Sequence, residues 1–185
     1  KDLTFYYSYL GLIILLITFF FSTELVYFFS NENYLEIAWI VPFVSLAYYI
    51  GGFRLFFQAG ASLSDRTDLF MRVSFFTIII NIVLNYLLIR YIGIEGAVIS
   101  TILSYSILTF LLYKTSKIVS DIPWPIKRIF HGFVIAIIIL VINYLLFNIN
   151  PGSKILINIS MLFLFLFFSI LTKLIKSKEL NGLYS

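Results

Sequence analysis

Residues 69–113 read LFMRVSFFTIIINIVLNYLLIRYIGIEGAVISTILSYSILTFLLY, which is two apolar runs joined by the short segment Gly93-Ile94-Glu95-Gly96. Each run approaches the roughly 20 residues that an α-helix needs to cross the hydrocarbon core of a bilayer. Neither run alternates polar and apolar residues as a strand would. Glycine tolerates the left-handed backbone that ends a helix. The pattern therefore predicts a tight helical hairpin built for a membrane.

The composition of the whole chain indicates the same class of protein. Of its 185 residues, 61% are hydrophobic and 12% are charged, and the mean hydropathy is +1.02. Average soluble domains are roughly 45–50% apolar and about 25% charged, and disordered chains combine low hydrophobicity with high charge. These values exclude both classes. We predict an all-α integral membrane protein whose surroundings are the lipid bilayer.

The rare residue types limit the chemistry that the chain can perform. It has no cysteine and one histidine, His131, which excludes a disulfide framework and a cysteine nucleophile and argues against a zinc site. The sequence shows no nucleophile–base–orienter set and no phosphate-binding glycine loop. We therefore expect no enzyme activity, metal or cofactor. The basic residues fall in loops rather than on one face, so we expect no nucleic-acid partner.

Apolar runs of this length predict six membrane-spanning helices. They cover 3–22, 36–58, 69–91, 95–113, 129–147 and 155–171. The sequence begins at Lys1 rather than at a methionine, and this leaves open whether residue 1 is a cut within a larger protein.

Lysine and arginine are distributed unevenly between the two ends of these spans. If the N-terminus is cytoplasmic, only Arg90 and Lys154 lie at outer ends. The other eleven lie at inner ends: Lys1, Arg54, Arg66, Arg72, Lys114, Lys117, Lys127, Arg128, Lys173, Lys176 and Lys178. Because cytoplasmic loops carry the excess of these residues, we predict that both termini are cytoplasmic.

Polar and small residues inside the hairpin have two interpretations. Asn81 and Asn85 are four apart and share one helix face, so they either line a substrate cavity or hold the bundle together by hydrogen bonds between helices. Gly96, Ser100 and Ser104 form a ridge of small residues that favours close packing against a neighbouring helix.

The second predicted span contains helix-breaking residues and one cation. Pro42 and the pair Gly51-Gly52 are hinge candidates, although both residue types are ordinary in membrane helices. Arg54 lies near the inner end of the span. It either faces a cavity and binds phosphate or reaches the headgroups along the membrane surface.

The segments between spans carry local signals of their own. Asn33 and Glu36 have the spacing of a capping box at the start of the second span. Between the fourth and fifth spans, Pro123 and Pro125 prevent a continuous helix, and we expect Trp124 at headgroup depth. His131 is expected at the membrane interface, and for Asn143 and Asn158 the default expectation is packing.

Carboxylates avoid the centres of the predicted spans. Glu36 and Glu95 are at outer ends, and Asp65, Asp68 and Asp121 are in inner loops. We therefore do not expect an ion-coupled carboxylate site in this part of the chain.

The stretch 81–105, NIVLNYLLIRYIGIEGAVISTILSY, resembles the C-terminal region of a family of flippases. These are the O-antigen or lipid-linked-oligosaccharide transporters of the MOP exporter superfamily. The features that match are the pair Asn81 and Asn85, and the Gly-x-x-Gly-Ala turn of Gly93, Gly96 and Ala97 before a helix rich in small residues. The resemblance covers roughly 5–115. It departs from the family in the inner loop at 64–67, where Ser-Asp-Arg-Thr lacks the usual glycine.

The resemblance implies an architecture in which this chain is one part. Members of the family have two lobes around a cavity that opens alternately to each side of the membrane. Residues 1–119 would be a four-helix part of the C-terminal lobe, 120–128 an inner connection, 129–172 an additional helix pair and 173–185 a cytoplasmic tail. The N-terminal lobe of the same chain would be the missing partner.

The resemblance also implies a substrate and a cellular location. The family moves undecaprenyl-pyrophosphate-linked sugar units across the inner membrane of bacteria, and Arg54 is the residue we would assign to the pyrophosphate. Two alternatives remain open. The first is a multidrug cation exporter of the same superfamily, and the second is a six-helix membrane protein that serves as an assembly partner without transporting anything.

Overall fold

The computed structural model describes residues 2–30, 32–62, 67–120, 122–149 and 153–171. Within these ranges every regular element is a helix, as predicted for the all-α class. The helices are α1 (Asp2–Phe20), α2 (Ser22–Phe29), α3 (Ile40–Gly52), α4 (Arg54–Ser62), α5 (Thr67–Val119), α6 (Ile126–Ile149) and α7 (Lys154–Leu171), with a 3-10 helix, Glu32–Ile37, between α2 and α3. The predicted tail at 173–185 and the residues 64–66 of the inner loop lie outside the described residues.

Several described helices are long and apolar enough to cross a membrane. They are Asp2–Phe20, Ile40–Ala59, Thr67–Val119 and Ile126–Leu146, and the shorter Lys154–Ser169 is also apolar. Large apolar side chains remain exposed along them; Phe75 and Phe163, for example, are both 67% exposed. Such surfaces suit lipid rather than water, and the chain is a multi-pass membrane protein by this criterion.

The helices group into two units. One unit is Ser22–Trp124, and the other combines Asp2–Phe21 with the chain from Pro125 onward. Helix α1 therefore packs with α6 and α7, and its Leu12 lies directly over Gly132 of α6. The division of the sequence into 1–119, 120–128 and 129–172 stays a prediction.

In the first unit, α5 folds back on itself at Gly93. This residue has φ 62° and ψ −136°, a backbone conformation that is essentially restricted to glycine. Gly93 separates an N-terminal arm (67–92) from a C-terminal arm (94–119). The amide of Asn81 in the first arm donates a hydrogen bond to the Ser104 hydroxyl in the second at 2.9 Å. The two arms are thus antiparallel, and the predicted helical hairpin is present.

Gly96 has a different role from Gly93. It lies in helical backbone inside the C-terminal arm, where a Cβ atom would be 2.2 Å from the carbonyl oxygen of Leu88. Real Cβ atoms do not approach backbone that closely, so only glycine lets the two arms come together here. The predicted ridge of small residues therefore begins at a close backbone contact.

Helices α3 and α4 pack alongside the C-terminal arm of α5 and run in the same direction. The Thr109 hydroxyl donates a hydrogen bond to the Ile50 carbonyl at 2.9 Å, and the rings of Phe57 and Tyr113 lie 5.5 Å apart. The backbone bends little at the junction between α3 and α4, since Phe53 keeps helical angles of φ −60° and ψ −22°. The junction residue Phe53 directly follows Gly51-Gly52, where the sequence predicts an interruption.

The start of α3 corrects the sequence prediction. Asn33 and Glu36 lie in the 3-10 helix, and α3 begins only at Ile40, after Trp39, with no side-chain cap. The predicted capping box is therefore wrong. Pro42 falls in the first turn of α3, where a missing N–H removes no helical hydrogen bond, so it does not interrupt the helix.

The connection between α5 and α6 contains the two prolines in non-helical backbone at 122–125. Trp124 packs its ring 5.0 Å from that of Phe57 and donates a hydrogen bond to the Ser116 hydroxyl at 3.2 Å. Direct contacts thus hold Trp124 on α4 and α5; its depth in the membrane stays a prediction.

In the second unit, one asparagine side chain forms hydrogen bonds that connect three helices. Asn158 of α7 is 3% exposed. Its amide donates a hydrogen bond to the carbonyl of Phe20, the last residue of α1, at 2.7 Å. Its side-chain oxygen accepts one from Asn143 of α6 at 2.9 Å. The carbonyl at a helix end has no partner within the helix, so Asn158 satisfies a group that would otherwise be unpaired in an apolar surrounding.

Candidate functional site

A polar cleft lies in the first unit between α4 and the two arms of α5. Its volume is about 360 Å³. The lining consists mostly of polar side chains, which is unusual in so apolar a chain: Arg54, Gln58, Ser74, Thr77, Ile78, Asn81, Thr101, Ser104, Tyr105 and Leu108. We define these residues as the polar cleft. Concave sites with a few convergent polar groups are the usual form of a ligand-binding site.

Arg54 is the only charged residue in the described lining of the polar cleft. It is the first residue of α4, and its side chain is exposed. Among the described residues, no carboxylate or carbonyl pairs with its guanidinium. The N–H donors of the guanidinium are therefore available to a ligand, and their planar arrangement matches the geometry of phosphate oxygens.

Helical spacing explains why the other polar groups converge. Ser74, Thr77 and Asn81 recur along one face of the N-terminal arm of α5, and Thr101, Ser104 and Tyr105 do the same on the C-terminal arm. Arg54 and Gln58 are one turn apart on α4. The antiparallel arms and the adjacent α4 bring these three polar faces to one place.

Hydrogen bonds within and between the arms connect four polar residues beside the cleft. Asn81 donates to Ser104, and the amide of Asn85 donates to the side-chain oxygen of Asn81 at 3.1 Å and to its backbone carbonyl at 2.9 Å. The hydroxyl of Ser100, which is fully buried, donates to the side-chain oxygen of Asn85 at 2.8 Å. We call Asn81, Asn85, Ser100 and Ser104 the inter-arm ladder. Only its members Asn81 and Ser104 also line the polar cleft.

The polar cleft continues into a second cleft. This second cleft has a volume of about 470 Å³ and lies where α4 approaches the start of α5. The two clefts share Gln58, Ser74 and Ile78, so they form a single groove along the hairpin. The far end of the groove is reached at Thr67.

The remaining predicted residues do not line the polar cleft. Gly51 packs against Tyr105, and a Cβ atom there would be 2.9 Å from the ring. Close packing against this ring explains why the position holds a glycine. Gly52 ends α3, and Pro42 lies in its first turn. Gly93, Gly96 and Ala97 belong to the turn of the hairpin and the start of its C-terminal arm. A hinge function for any of them stays a prediction.

Several residues of the cleft are not conspicuous in the sequence. Gln58, Ser74, Thr77, Thr101 and Tyr105 line it, and none of them was singled out from the sequence. The spacing of Ser74 and Thr77 ahead of Asn81 was a usable signal, because all three fall on one helix face. Among the described residues, no group of His, Asp and Glu could hold a metal ion.

Comparison with known proteins finds no counterpart: no family model matches the chain, and no curated protein or solved structure matches it.

Proposed function

We propose that this chain is the C-terminal part of a flippase for lipid-linked oligosaccharide, a transporter of polyprenyl-pyrophosphate sugar units in the biosynthesis of cell-surface polysaccharide. The observation that carries the proposal is the polar cleft, whose only described charge is the unpaired guanidinium of Arg54. A guanidinium binds phosphate oxygens through two parallel charge-assisted hydrogen bonds. Hydroxyl and amide groups around it suit the hydroxyls of a sugar.

The groove supports movement of an amphipathic substrate. A polar headgroup is costly to transfer into hydrocarbon unless its hydrogen bonds are replaced. The polar cleft provides such replacements on helices that are otherwise apolar. Its continuation is mainly apolar and adds one polar group beyond the shared Gln58 and Ser74, the hydroxyl of Thr67. The lipid chain of the substrate can stay in the bilayer while the headgroup moves along the groove.

The proposal includes a topology. The lengths of the apolar runs predict six membrane spans, and the distribution of lysine and arginine predicts that both termini are cytoplasmic. The inner membrane of a bacterium is implied by the family resemblance. The second cleft, at Gln58 and Thr67, would then open toward the cytoplasm, and Asn81 would lie deeper in the inner membrane. Arg54 would bind the pyrophosphate of the substrate at a depth between the cytoplasmic opening and Asn81. A complete enclosure around the headgroup would need the N-terminal lobe of the same chain.

The charge of the cleft separates this function from its nearest alternative. A multidrug cation exporter would gain support from an acidic residue in the N-terminal lobe, whereas the described lining of the polar cleft offers Arg54 and no carboxylate. A positive charge at this place repels a cation and attracts an anion. An anionic substrate is therefore the better match.

The test is a complementation experiment in cells that depend on this protein for surface polysaccharide. Arg54→Ala should lower the polysaccharide about tenfold, because one charge-assisted contact to phosphate is lost, and Arg54→Lys should restore part of it. Arg90→Ala is the matched control, since Arg90 is exposed and lies against the Tyr86 hydroxyl, outside the cleft. Normal polysaccharide in an Arg54→Ala strain with a normal protein level would leave Arg54 as a membrane-surface anchor and remove the basis of the proposal.

A further inference from the structure

A second candidate site lies at the opposite end of the hairpin from the second cleft. An open, mainly apolar cleft of about 510 Å³ lies between the start of α3 and the start of the C-terminal arm of α5. We call it the Trp39 cleft, and it is lined by Trp39, Phe43, Glu95, Val98, Ile99 and Ile102. It shares no residue with the polar cleft.

The charge of the Trp39 cleft is negative. Glu95 is its only charged residue in the described lining, and its side chain is exposed. No cation among the described residues pairs with it; Arg90, five residues earlier in the sequence, donates a hydrogen bond to the Tyr86 hydroxyl. The carboxylate is therefore available to accept hydrogen bonds from a cationic group.

Two aromatic rings stand beside this carboxylate. Trp39 and Phe43 are packed edge to face, with ring centroids 6.1 Å apart, and they are 40% and 38% exposed. A ring face attracts a cation, and tryptophan does so best. A carboxylate and an exposed indole on one cleft are complementary to an ammonium group.

The rest of the lining is an apolar stripe. Val98, Ile99 and Ile102 follow Glu95 along one face of the helix, so the stripe leads away from the carboxylate for about 10 Å. A small soluble cation would leave this stripe uncovered. A hydrocarbon chain attached to the ammonium would cover it.

We infer that the Trp39 cleft binds the headgroup of an aminophospholipid, a phosphatidylethanolamine of the surrounding bilayer, with its ammonium on Glu95 and Trp39 and an acyl chain along Val98, Ile99 and Ile102. A primary ammonium has three hydrogen-bond donors for the carboxylate, which a quaternary ammonium lacks. The inference requires only that the helices lie in a membrane and does not depend on transport.

The chain carries a reporter for this site. It has two tryptophans, so Trp124→Phe leaves Trp39 as the only one in the sequence. Its fluorescence is measured in vesicles of phosphatidylcholine that contain a minor fraction of one brominated lipid, either phosphatidylethanolamine, phosphatidylglycerol or phosphatidylcholine. We expect brominated phosphatidylethanolamine to quench Trp39 about threefold more than the other two, a ratio that corresponds to an exposed cation–π contact.

Two carboxylate variants complete the test. Glu95→Gln should abolish the preference for phosphatidylethanolamine. Glu36→Gln should leave it unchanged, because Glu36 is also exposed but does not line the cleft. Equal quenching by the three lipids, or a preference that survives Glu95→Gln, overturns the inference. If Trp124→Phe folds poorly, mass spectrometry of the lipids retained by the unmodified chain and by Glu95→Gln makes the same comparison.

Discussion

The amide of Asn81 donates a hydrogen bond to the hydroxyl of Ser104 at 2.9 Å, across the two arms of α5. Both residues also line the polar cleft. The contact that holds the hairpin together thus forms part of the wall of the candidate site. Asn81 therefore both packs against the other arm and lines the cleft, while its contact with a substrate stays a prediction.

The energy of this contact can be measured with a double-mutant cycle. Asn81→Ala, Ser104→Ala and the double variant should show a coupling free energy of about 0.6 kcal/mol and no more than about 1.7 kcal/mol, the range for hydrogen bonds between membrane helices. Denaturant unfolding in mixed micelles is the measurement. A coupling of zero would mean that the two side chains do not interact in the folded protein.

Gly96→Ala should be severely destabilising. The added Cβ would lie 2.2 Å from the carbonyl oxygen of Leu88, so the backbone of one arm must move. Overpacking of this kind costs about 3 kcal/mol, and we expect a large fall in the midpoint of unfolding.

Gly132→Ala is the matched control for Gly96→Ala. Its Cβ would be 3.1 Å from a terminal methyl of Leu12, a flexible neighbour that can move aside, so the cost should be near the lower end of the range, about 1 kcal/mol. Equal losses from the two substitutions would show that the arms are not in close contact at Gly96.

Gly93 should tolerate no other residue, although nothing lies within 4 Å of the position of a Cβ atom there. Its φ of 62° and ψ of −136° are unfavourable for any side chain, and Gly93→Ala should cost about 1–3 kcal/mol. Asparagine adopts the left-handed helical region, but this ψ lies outside that region. Gly93→Asn should therefore be as unstable as Gly93→Ala in thermal unfolding, and a clear rescue by asparagine would contradict the turn described above.

Asn158→Leu should destabilise the second unit. It removes the donor to the Phe20 carbonyl and the acceptor for Asn143, and each buried polar group left without a partner costs about 1–3 kcal/mol. Ser160→Ala is the control, because Ser160 is exposed and only bonds a carbonyl of its own helix. Thermal unfolding should separate the two variants clearly, and similar melting temperatures would remove Asn158 from the set of stabilising contacts.

The sequence was sufficient for the class of fold and for the hairpin. Long apolar runs, together with glycine at Gly93, predict a reversal without reference to the rest of the protein. The partners of α1 were not predictable in this way. Leu12 and Leu16 of that helix are buried while Leu3 and Leu10 are exposed, and a helix that is apolar on every side does not reveal which face packs against protein.

Only the rarer polar residues of the candidate site were predictable from the sequence. Arg54 and Asn81 are conspicuous because a charge or an amide is rare in an apolar helix. Serine and threonine are common in membrane helices and can bond their own backbone, as Thr77 does to the carbonyl of Val73 at 2.8 Å. Only the packing of α4 against the hairpin shows that Thr77 and Thr101 face the same cleft as Arg54.

The most direct test is whether the lipid-linked oligosaccharide occupies the polar cleft. The chain contains no cysteine, so Thr101→Cys places one thiol in the lining, and Ser106→Cys places one on the same arm outside it. Labelling by a water-soluble maleimide is measured with and without the purified substrate. If the substrate occupies the cleft, it should slow labelling at 101 and not at 106, and the added substitution Arg54→Ala should remove this protection. Labelling at 101 that is unaffected by the substrate would contradict the proposed function.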